Sequence, residues 1–227
     1  MFIIATSGRC GTKAICDGLA QYSDFAVRHE PEPMLEEAWL KHNGKDYRTP
    51  TFEARMASFA EHDTSAYGES FRAPNLLADV HAVAPNTKFL IAVRKPTEYI
   101  RSAHSRGVLR RGDGWDLFRL MPSENVSASL ALRIASHWQT INQYLLDFAD
   151  QHGCPVVTHR DWAQLLDRLP QWLGLRITDH RALTEYWATK PNVSVGSDLP
   201  DGFDEVAIDE ITGPTWSRAR RMSASFG

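Results

Sequence analysis

Short apolar runs alternate with amphipathic stretches along the chain. Phe2-Ile3-Ile4-Ala5-Thr6 is continuous, apolar and β-rich, which suits a strand buried on both faces, and it stops at Ser7-Gly8. Ala14, Ile15, Leu19 and Tyr22 recur near helical spacing and predict a helix from about Thr12 to Ser23-Asp24. Tyr67 to Phe71 reads as a strand, and Pro74-Asn75 followed by Leu76, Leu77, Val80 and Val83 as a helix that ends before Pro85. Lys88 to Val93 (KFLIAV) is the clearest later strand, and Pro96 suits the first turn of a helix through Tyr99, Ile100 and Ala103. Residues 107–122 carry Gly, Arg and scattered aromatics and predict a long loop of the kind that forms lids. Ser123-Glu124 opens the longest helical stripe, Leu130, Ile134, Trp138, Ile141, Leu145 and Phe148, the pattern of a core helix. Cys154 to Thr158 is a further strand, and Asp161 is placed to cap a helix through Leu165, Leu166, Leu169 and Trp172. Strands alternating with helices predict an α/β fold, a central mostly parallel sheet flanked by helices, with ligands bound beyond the strands' carboxyl ends.

Composition narrows the function. The 227 residues are 43% hydrophobic and 23% charged, ordinary for one soluble domain spanning residues 1–227. A net charge of −3 argues against a nucleic-acid or anionic-membrane partner, so any anion site is local. Three scattered cysteines, Cys10, Cys16 and Cys154, make neither a disulfide framework nor a zinc pair, and no histidine-carboxylate cluster predicts a metal. No signal-peptide pattern and no apolar run of membrane-spanning length is present, so a cytoplasmic location is expected.

The chemistry concentrates in two strand-to-helix turns. In the first, Ser7-Gly8-Arg9-Cys10-Gly11-Thr12-Lys13, glycines let backbone amides converge on an anion, the helix N-terminus adds positive potential, and Arg9 and Lys13 add charge. A tight turn with incidental basic residues is the competing reading. The Mg-ATP P-loop of a kinase is a poor match, because Gly11-Thr12-Lys13-Ala14 separates Gly from Lys and lacks the hydroxyl after it. In the second turn, Arg94 ends a strong strand and Ser102 follows two helical turns later, so a guanidinium fork and a hydroxyl can meet one phosphate.

Both turns resemble the sulfotransferases that use 3′-phosphoadenosine 5′-phosphosulfate (PAPS). Gly8-Arg9-Cys10-Gly11-Thr12 is similar to the GRSGT form of that family's 5′-phosphosulfate loop, and the segment from Arg94 to Ser102 has the spacing of its RNPxxxxxS motif. The likeness runs from about Phe2 to Leu175, through Val156-Val157-Thr158-His159-Arg160-Asp161-Trp162 and Trp172-Leu173-Gly174-Leu175. The tryptophan that often follows the first loop is absent, and so is the RKGxxGxWK loop of the cytosolic branch, which places the chain nearer the carbohydrate and bacterial branches. The resemblance implies a three-layer P-loop-like fold with no metal. It implies that Gly8, Arg9, Cys10, Gly11, Thr12 and Lys13 hold the 5′-phosphosulfate and that Arg94 and Ser102 hold the 3′-phosphate. PAPS is then the co-substrate, adenosine 3′,5′-bisphosphate (PAP) the product, and the acceptor a hydroxyl on a carbohydrate, lipid or small metabolite.

Such a transfer requires a base. His29-Glu30-Pro31 follows the first helix, where this family delivers its base, and Glu30 is the first choice, with Glu32 and His29 as rivals. Arg9 is the cation expected to act at the transferred group. A Mg-ATP kinase and a non-catalytic nucleotide-binding module are the alternatives, and the acceptor specificity is expected in variable loops at residues 32–64 and 107–122.

Overall fold

The computed structural model describes residues 1–31, 48–71, 73–105, 128–158, 168–189 and 199–226. Five strands form one sheet: β1 (Phe2–Thr6), β2 (Ala26–His29), β3 (Tyr67–Phe71), β4 (Lys88–Val93) and β5 (Val156–Thr158), in the order β2-β3-β1-β4-β5, all pairs parallel. Strand β1 lies between β3 and β4 and so occupies the point where successive connections diverge to opposite sides of the sheet. In such sheets the crevice at the carboxyl edge collects ligands.

Alternation along β1 divides the core. Ile3 and Ala5 face one layer, with Phe52, Phe59, Trp138 and Leu145, and Phe2 and Ile4 face the other, with Ile15, Leu19 and Leu173. The first layer contains α2 (Pro50–His62), α3 (Leu77–Val83), α4 (Pro96–Ser105), α5 (Leu130–His152) and α8 (Glu205–Phe226), and the second α1 (Thr12–Tyr22), α6 (Leu169–Leu173) and α7 (His180–Thr189). The fold is therefore the expected α/β arrangement, a parallel sheet flanked by helices. No helix among the described residues is long and apolar enough to cross a membrane.

Strands β1, β3 and β4 have the predicted bounds, and β5 keeps the last three residues of its predicted run. The core stripe lies on α5, which begins at Leu130, where the Ser129 side chain accepts from the Leu132 amide. The predicted opening at Ser123-Glu124, the loop at 107–122 and the Asp161 cap lie outside the described residues. The segment read as a variable loop, 32–64, contains α2, a correction with a local cause. Thr49 caps the helix through the Phe52 amide, Pro50 occupies its first turn, and Phe52, Met56 and Phe59 bury one face. Helices α7 and α8 follow in the C-terminal part, where the sequence predicted no elements. Arg218 on α8 donates to Asp147 across 2.6 Å and pairs with Asp150, tying α8 to α5.

Candidate functional site

The turn after β1 departs from ordinary backbone conformation at three positions of positive φ, residues 8, 9 and 11. Gly8 and Gly11 hold φ of 84° and 78°, and between them Arg9 holds 57°, a conformation uncommon for a residue with a Cβ. The Gly8 amide donates to Thr6 Oγ1 (3.1 Å). The Cys10 thiol is fully buried and faces two carbonyls, Gly8 O at 3.3 Å and Ala92 O at 3.4 Å, which fastens the loop to β4. Burial pushes that thiol up to about 11, against the opposing pull of Thr6 and the Arg94 charge, so it stays neutral and structural. Cys10 can serve a ligand only through its backbone. Helix α1 follows its N-cap Gly11 with no side-chain cap and no acidic residue in its first turn, so no carboxylate there offsets the positive end of the helix.

The second turn meets the first directly. Arg94 is buried, 8% exposed, and its guanidinium donates through Nη1 to the carbonyl of Arg9 (2.8 Å). Its Nε is buried with no hydrogen-bond acceptor among the described residues, and Glu98 Oε2 lies 3.7 Å from it. Burial lowers the Arg94 pKa, with Cys10 and Glu98 opposing the shift. The Arg9 side chain crosses to α4, where its Nε donates to the Ser102 hydroxyl (3.1 Å), itself fully buried. Two aromatics brace this junction: Trp138 Nε1 donates to the Arg94 carbonyl (3.0 Å) and the Tyr99 hydroxyl to the Ser7 carbonyl (3.4 Å). Segments 85 and 93 residues apart thus form one cationic cluster at the carboxyl ends of β1 and β4. Lys13 lies apart from it, exposed and paired with Asp17 at 2.9 Å.

His29 and Glu30 emerge at the same carboxyl edge, two strands from β1, or roughly 10 Å at ordinary strand spacing. Glu30 has φ of 44°, so Arg9 and Glu30 are the two non-glycine residues with positive φ among the described residues. For residues with a Cβ, such φ values are uncommon. His29 Nε2 lies 3.9 Å from Glu30 Oε2, and the Ser70 hydroxyl contacts both residues. Ser70 escaped the sequence reading, although Glu69-Ser70 inside an otherwise apolar strand was a visible signal. Glu69 faces the opposite layer. It is buried with Arg55 of α2 and the Tyr67 hydroxyl, and burial raises its pKa against the Arg55 charge. Glu32 lies outside the described residues.

One solved structure that matches is the crystal structure of a sulfotransferase from Alicyclobacillus acidocaldarius, 17% identical, with a TM-score of 0.57 over 98% of this chain and 95% of that one. The chain shares the fold of that sulfotransferase. No family model matches the chain, and no curated protein matches it in sequence.

Proposed function

We propose that the protein is a sulfotransferase that moves the sulfuryl group of PAPS to an acceptor hydroxyl. One observation carries this reading: the residues selected for two ends of one nucleotide, Arg9 from the first turn and Arg94 with Ser102 from the second, are in mutual contact. A nucleotide with phosphates at both 5′ and 3′ positions has use for two such anion sites, whereas ATP has use for one. The uncapped end of α1 and the loop amides hold the 5′-phosphosulfate. Arg94, with a buried N–H lacking an acceptor, and Ser102 hold the 3′-phosphate. Binding at Ser102 displaces Arg9 from its hydroxyl and frees that guanidinium for the transferred group.

Glu30 takes the proton of the acceptor hydroxyl as its oxygen attacks sulfur in line. The bond between sulfur and the 5′-phosphate oxygen breaks, and its electron pair leaves on that oxygen, giving PAP and the sulfate ester. Arg9 and the loop amides stabilise the negative charge growing on the leaving phosphate, and positioning supplies most of the rest, as in phosphoryl transfer. A thermal-shift panel of PAP, AMP and ATP, each with and without Mg²⁺, tests the reading. PAP should stabilise most, with no effect of chelating metal, and stronger stabilisation by Mg-ATP overturns the proposal.

A further inference from the structure

Beside the proposed base lies a buried hydroxyl that the reading above gives no task. Ser70 is 1% exposed on β3, opposite His29 in the parallel register of β2 and β3. The Glu30 amide donates to its oxygen across 3.2 Å, and His29 Nδ1 lies 2.7 Å from the same oxygen. A hydroxyl has one proton to give. The 2.7 Å separation sits at the mode for a bond donated by O–H and at the short limit for one donated by N–H, and the Glu30 amide already points at an oxygen lone pair. The Cys16 sulfur also faces this hydroxyl but is a much weaker acceptor than an imidazole nitrogen, so in neutral His29 the Ser70 proton goes to Nδ1 and the ring proton to Nε2, the nitrogen 3.9 Å from Glu30 Oε2.

We propose that Ser70 is a positioning residue of this site, holding Glu30 in its left-handed conformation and His29 in the Nε2–H tautomer. The role rests on the sulfotransferase reading. It decides between two candidates for the base: a ring whose Nδ1 accepts from Ser70 and whose Nε2 is protonated cannot take a proton from an acceptor, whereas the Glu30 carboxylate can. His29 becomes a hydrogen-bond donor at the edge of the site. The backbone of Glu30, disfavoured at φ 44°, is offset by a buried acceptor for its amide.

The test is ¹⁵N NMR of the histidine-labelled full chain at pH 8, with His29 assigned among the nine histidines by its absence in His29→Asn. The wild type should show His29 with a pyrrole-like Nε2 and a pyridine-like Nδ1. Ser70→Ala should draw the two shifts together as tautomers mix, and Ser70→Thr, which keeps the hydroxyl, should restore their separation. A wild-type His29 protonated on Nδ1, or shifts unmoved by Ser70→Ala, overturns the proposal. Should Ser70→Ala not fold, the wild-type tautomer alone decides. PAP-induced stabilisation measured on the same samples keeps the two readings separate. Its absence in wild type sinks the sulfotransferase reading and leaves the tautomer standing, and its retention in Ser70→Ala alongside a mixed tautomer is the result expected.

Discussion

Replacing Arg94 by alanine separates the proposed 3′-phosphate site from the rest of the nucleotide. Two groups are offered to that phosphate, the buried Nε of Arg94 and the buried hydroxyl of Ser102. Hydrogen bonds to charged groups contribute about 1.5–3 kcal/mol each, so together they should favour PAP over AMP by about 3–6 kcal/mol, roughly 10²–10⁴ in affinity. Removing the guanidinium should cut this preference by about 10–10²-fold, with Arg94→Lys recovering the charge but not the fork. The cost to the fold is modest. Truncation orphans the Arg9 carbonyl, about 1 kcal/mol, but also removes a cation that burial already disfavours. Calorimetric titration of PAP and AMP at one ionic strength gives the ratio, and AMP affinity, which reports on the 5′ loop, should change only a few-fold. An Arg94→Ala protein with the wild-type PAP to AMP ratio refutes the assignment.

Glu30→Gln should lower turnover by about 10²-fold with PAP affinity nearly constant, measured with an acceptor drawn from a panel of sugars and phenols, and Glu32→Gln and His29→Asn should each do much less. Arg9→Ala should reduce turnover more than it weakens PAP binding, and an unchanged rate removes Arg9 from the mechanism. Arg55→Ala leaves Glu69 buried without its cation, with the Tyr67 hydroxyl as its remaining named donor, and should cost about 3–5 kcal/mol in chemical denaturation, partly recovered by adding Glu69→Gln. Burial holds the Cys10 and Cys16 thiols at about 11 and about 12, so both should resist a thiol reagent at pH 8 until the protein is unfolded, and rapid native labelling of either would contradict their placement.

Sequence alone determined the elements whose signals are local. A run buried on both faces, such as Phe2 to Thr6 or Lys88 to Val93, needs no partner to be recognised, and glycines at positions 8 and 11 announce a turn that demands positive φ. Residue type, spacing and the family resemblance were enough to single out Arg9, Arg94, Ser102 and Glu30 as candidates. Tertiary structure decided how they meet. Strand β2 is four residues long, with a single buried position, too short to signal itself, and it exists because β3 offers it a parallel edge. Arg9 reaches Ser102 across 93 positions because β1 and β4 are neighbours and α4 returns over their carboxyl ends, and that adjacency is a property of the sheet order. Lys13, equal to Arg9 in charge, is turned toward Asp17 by the rotation of α1. Ser70 faces His29 through strand register, and a one-residue slip would send its hydroxyl to the opposite layer.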